Sequence, residues 1–60
     1  MYEVHSNYGS ALFVNEGDAI NALWLLGGYH NFKIYDDVVR NALSKNGYYE
    51  IGILSIIKAK

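Results

Sequence analysis

The segment Tyr48–Ile57 (YYEIGILSII) constrains this chain more than any other stretch. One parity of side chains carries Tyr49, Ile51, Ile53 and Ile57, and the other carries Tyr48, Leu54 and Ile56. A strand with one wet face alternates apolar with polar residues, so a single strand of this composition requires cover on both faces. Sixty residues supply little material for two covers. A chain of that size buries only about 60% of the surface its unfolded form exposes. The second cover is therefore expected from outside, as another copy or another protein.

The remedies open to so small a core are few. Cysteine is absent, which removes disulfides and thiolate metal sites together and leaves oligomerisation. Apolar residues make up 52% of the chain and aromatics 15%, so apolar area is left over for an interface. A homodimer is expected, with the last strand as its seam. Ile53, Ser55 and Ile57 would form one face of that seam, or Leu54 and Ile56 the reverse face.

Five basic and six acidic residues give a net charge of −1. Nucleic-acid binders draw much of their affinity from a clustered basic patch, whereas Lys33, Arg40, Lys45, Lys58 and Lys60 are scattered. Met1-Tyr2-Glu3 does not open a signal peptide, and no window holds the roughly 18 apolar residues that span a bilayer. A cytoplasmic protein with no membrane association is expected, read as a complete small product from its initial Met1.

Turn and cap signals divide the chain. Tyr2–Asn7 reads as a strand with Tyr2, Val4 and Ser6 on one face. Asn7–Ser10 is a turn, and Ala11–Val14 a short second strand. Asn15 precedes a helix expected from Glu16 to Leu26, with Ile20, Leu23, Trp24 and Gly27 on its core stripe and Gly27-Gly28 as its stop. Asn31–Tyr35 (NFKIY) alternates and predicts a strand that turns Phe32 and Ile34 inward. Asp36-Asp37 caps a second helix, Val38–Lys45, with Val39, Ala42 and Leu43 inward and Asn46-Gly47 at its end. The expected fold is α+β, one compact domain over residues 1–60. It has a single-layer sheet of three to four strands, two helices packed on it and the order β-β-α-β-α-β. NFKIY either joins the sheet through a right-handed parallel crossover, or is an edge strand or loop beside an antiparallel sheet.

Candidate chemistry is sparse. Glu3 and His5 project from one strand face and His30 follows the first helix, yet no pair has metal-ligand spacing, so no metal or cofactor is expected. Asp36-Asp37 is explained by capping, with a second use as a small acidic patch beside Tyr35. Gly27-Gly28 follows a helix, whereas phosphate-cradling glycines precede one. Gly52 marks a bulge or the close approach of another backbone or a ring, and would let a helix or an opposing aromatic from a partner pack tightly. Ser6, Ser10, Ser44 and Ser55 lack a nucleophile context, so no catalytic residue is assigned.

Six tyrosines remain. Tyrosine joins large contact area to a hydroxyl and is enriched at binding hot spots. Tyr8 and Tyr29 fall in loops, where core packing explains them least. The contact set expected for a protein partner is Tyr8, Tyr29, His30, Tyr35 and Asp36. The function expected is a non-enzymatic protein-binding module. Small, cysteine-free, aromatic-rich acidic chains of this type are often encoded by phages or mobile elements to inhibit host enzymes or defence complexes. The alternative is a dimeric nucleic-acid-binding regulator that reads bases with Val38–Lys45, using Arg40, Asn41, Ser44 and Lys45.

Overall fold

In the computed structural model, which describes residues 1–59, two β-hairpins flank a pair of helices. The elements are β1 (Tyr2–Ser6), β2 (Gly9–Phe13), α1 (Glu16–Tyr29), α2 (Asp36–Asn46), β3 (Tyr48–Ile51) and β4 (Leu54–Lys58). The order is β-β-α-α-β-β, not β-β-α-β-α-β. The α+β class and the single sheet with two helices are as the sequence predicts. All pairings among the described residues are antiparallel, in the order β2-β1-β4-β3, so the first and last strands are central neighbours and those residues hold no parallel crossover.

Tyr48–Ile57 is two strands, which removes the demand for two covers. The chain reverses at Gly52-Ile53 and re-pairs at once, Ile51 opposite Leu54. Gly52 has φ +58 and Ile53 does not, as in a type II′ hairpin turn. A two-residue turn switches the inward parity. Tyr49 and Ile51 therefore share the core face with Leu54 and Ile56, while Tyr48, Glu50, Ser55 and Ile57 face outward. Leu54 and Ile56 are fully buried in the core of their own chain, so they cannot serve as a self-association seam. Ile53 in the turn and Ile57 on the outer face stay exposed, and Ser55 is half-buried.

The core is Val4 from β1, Ala19, Ile20 and Leu23 from α1, Val39 and Leu43 from α2, Leu54 and Ile56 from β4, and Ile34. Each fully buried aliphatic side chain among them contributes about 1.5–3 kcal/mol. NFKIY is not a strand. It runs as a loop that delivers Ile34 to the core and packs Phe32 against its edge. Its alternation records which side is buried, and burial needs no ladder partner. The ring of Phe32 lies over Gly52, where an added Cβ would come 2.5 Å from Cζ. The close ring expected at Gly52 thus belongs to the same chain.

Helix α1 runs through the expected Gly27-Gly28 stop and ends at Tyr29, three residues past Leu26. Its end is a Schellman closure with Asn31 in the left-handed conformation at φ +61. Phe32 N–H donates to Gly27 O at 2.9 Å and Asn31 N–H to Gly28 O at 3.4 Å. Gly27 serves close packing instead: a Cβ there would lie 2.7 Å from Ile34 Cγ1. At the other end, Asn15 has the extended backbone of an N-cap, but its side chain donates to Asp18 Oδ2 at 3.3 Å and caps no N–H. Helix α2 starts at Asp36 and not at Val38, so Tyr35 holds the N-cap position and Asp36 and Asp37 lie in the first turn instead of capping it; the end on Gly47 at φ +82 is as predicted.

Candidate functional site

The C-terminal half of α1 is apolar all round. From Ala22 to Tyr29 its only polar side-chain groups are the indole N–H and one phenol. Leu23 and Gly27 turn inward, which leaves Trp24, Leu25, Gly28 and Tyr29 facing away from the core. Normally a helix apolar on both sides is covered on both sides. Here the 31–35 loop rises beside the outer face, held down by Ile34 on Gly27 and by Phe32 on Gly52. Between helix and loop lies a groove of about 730 Å³, lined by Trp24, Leu25, Gly28, Tyr29, Phe32, Lys33, Ile34 and Tyr35. Trp24 is 57% exposed and Tyr29 82%.

Gly28 leaves the groove wall without a side chain, since nothing lies within 4 Å of where its Cβ would stand. Lys33 is the one charged residue of the lining. A smaller hollow of about 290 Å³ adjoins, sharing Trp24 and Ile34 and adding Gly17, Ile20, Asn21 and Asp36. The Asp36 carboxylate there accepts from Arg40 Nε at 2.7 Å, while Arg40 Nη1 donates to Glu16 Oε1 at 2.8 Å. Glu16 Oε2 in turn accepts from the Tyr2 hydroxyl at 3.2 Å. This chain of contacts ties β1, α1 and α2 together beside the hollow. Its Asp36 bond, ahead of the other contacts, holds the Arg40 guanidinium above its ordinary pKa.

Of the five residues expected at a partner interface, the groove gathers Tyr29 and Tyr35, with Asp36 in the adjoining hollow. Tyr8 lies apart, exposed at the tip of the β1–β2 hairpin, where its N–H donates to Ser6 Oγ at 3.1 Å. His30 does not line the groove. Its ring stacks on Phe32 with centroids 5.7 Å apart, and Nε2 is buried without a hydrogen-bond partner. It packs beside Phe32.

Trp24, Leu25 and Phe32 were missed as site residues because helical spacing assigns Trp24 to the core stripe and alternation assigns Phe32 to the core. The available signal was the uninterrupted apolar run WLLGGY, too long for one buried face of one helix.

His5 Nε2 and Glu3 Oε1 pair with each other at 3.0 Å on the outer sheet face. No group of three or more His, Cys, Asp or Glu gathers as a metal site among the described residues. Nor is any helix among them long and apolar enough to cross a membrane. No protein-family model matches the chain, and no curated protein or solved structure matches it either.

Proposed function

We propose that this chain is a small non-enzymatic protein-binding module that acts by occupying an apolar surface of a larger protein, in the manner of a phage- or mobile-element-encoded inhibitor. One observation carries the reading. The core closes without Trp24, Leu25, Tyr29 or Tyr35, yet these four large side chains stand exposed around one groove. Contiguous exposed apolar surface rimmed by polar groups is characteristic of interaction sites, and Trp and Tyr dominate binding hot spots. The lining offers one ammonium and two phenols, with no carboxylate or imidazole to work as a base against a nucleophile. That favours binding over catalysis. The nucleic-acid alternative loses support because Arg40, one of its base readers, is held by two carboxylates.

The test compares wild type with Trp24→Ala and Tyr29→Ala as immobilised bait for lysate of the native host. Both side chains are outside the core, so melting temperatures should stay close to that of wild type. A stoichiometric protein retained by wild type and lost by both variants supports the reading. Equal retention by the variants, or a collapse of their stability, counts against it.

A further inference from the structure

The two edges of the sheet are guarded differently. β3 carries Glu50, a charge that discourages addition of another strand. β2 is the opposite edge, and from Asn7 through Asn15 the chain holds no charged side chain and no proline. Its register with β1 runs unbroken from Tyr2↔Phe13 to Ser6↔Gly9, with no bulge to turn the edge away. Alternate N–H and C=O groups of β2 therefore point outward with no strand to receive them. Beside them stand Tyr8 at 78% exposure, Val14 at 74% and Leu12 at 64%.

We propose that β2 pairs antiparallel with β2 of a second copy, about a twofold axis at Ala11, and joins two four-stranded sheets into one. The occupant follows from the strand itself. An uncharged edge meets its own copy without like-charge repulsion, and a twofold axis makes the same patch self-complementary. Centred on Ala11, the pairing sets Leu12 opposite Ser10 and Gly9 opposite Phe13 of the second copy, while Tyr8 and Val14, just outside the strand, flank the seam. The seam lies on β2 and not on Ile53–Ile57, and it shares no residue with the groove lining, so it does not depend on the function proposed above. A single strand seam falls at the small end of interface sizes, below roughly 1,200 Å². Dissociation on dilution is therefore expected.

Sedimentation of the wild-type protein over a wide concentration range is the first test, with Trp24 emission followed over the same range. A reversible monomer–dimer transition that leaves the emission unchanged is expected, because Trp24 lies outside the seam. In Leu12→Lys, two ammonium groups face each other diagonally across the axis, and the dissociation constant should rise by about tenfold. The Ala11→Cys variant carries the chain's sole thiol, and opposed residues of an antiparallel pair lie about 4.5–5.5 Å apart at Cα, within disulfide reach. It should cross-link on mild oxidation, and Leu25→Cys in the groove should not. A protein that stays monomeric at millimolar concentration overturns the proposal. So does a dimer that cross-links through Leu25→Cys and not through Ala11→Cys.

Discussion

Gly27 and Gly28 are adjacent in one helix and are predicted to respond to alanine with opposite signs. Alanine at an open helical glycine stabilises by about 0.5–1 kcal/mol, because the unfolded chain loses freedom. Gly28 meets that condition, with nothing within 4 Å of its added Cβ, so Gly28→Ala should raise the denaturation midpoint. At Gly27 the new methyl would press on Ile34 Cγ1 at 2.7 Å, a branch atom with little room to turn. Overpacking of this kind costs about 1–3 kcal/mol, more than the propensity gain, so Gly27→Ala should destabilise. Urea unfolding of both variants decides the matter, and a shared sign would contradict the packing of Ile34 on α1. The sequence displays two glycines after an apolar run and nothing to separate their roles. A stop signal and a packing notch are both written Gly, and the αL position here is taken by Asn31.

Hairpin β3–β4 and the 31–35 loop are coupled where Phe32 covers Gly52. Gly52→Ala faces about 1–2 kcal/mol for a left-handed backbone and about 1–3 kcal/mol more for displacing the ring. In a Phe32→Ala background only the first cost should remain, and a double-mutant cycle of unfolding free energies measures the difference. Additive effects would mean that ring and turn do not touch. A second coupling joins β1 to α1 and α2 through Tyr2, Glu16 and Arg40. Burial, then the hydrogen bond and charge of Glu16, raise the Tyr2 phenol pKa, with Arg40 opposing weakly. A raised folded value means that this contribution is complete below the unfolded tyrosine pKa of about 10 and is lost as pH rises through the folded value. Tyr2→Phe should therefore lose less stability than wild type over that alkaline window. Identical pH profiles would sever the Tyr2–Glu16 link. The two helices, the first hairpin and the inward sets Val4, Leu23, Val39 and Leu43 were legible because each rests on local periodicity and turn signals. The order was not. A two-residue turn inside YYEIGILSII reverses the inward parity, and the periodicity of a single strand conceals that reversal.

Taken as one body, the chain builds its single core between helices and sheet from aliphatics alone and leaves Tyr8, Trp24, Tyr29, Tyr35 and Tyr48 exposed. Sequence composition signalled that surplus, and Tyr29 and Tyr35, two of the residues expected at a partner contact, line the groove. What composition lacked was direction. Trp24 sits at core spacing yet faces out, while Ile34 from the 31–35 loop packs on α1 at Gly27. Apolar surface is exposed both at the groove beside α1 and along the edge of β2, which gives one small body two contact surfaces with separate tests. The groove is the functional claim, and site-specific photo-cross-linking in host lysate probes it most directly. A benzophenone amino acid is placed at Tyr29 in the groove or, as a control, at Glu50 on the outer sheet face. The prediction is a single discrete protein adduct from position 29, competed away by excess unlabelled wild type, and none from position 50. An adduct from position 50 alone, or no competable adduct from either, would contradict a protein-binding groove.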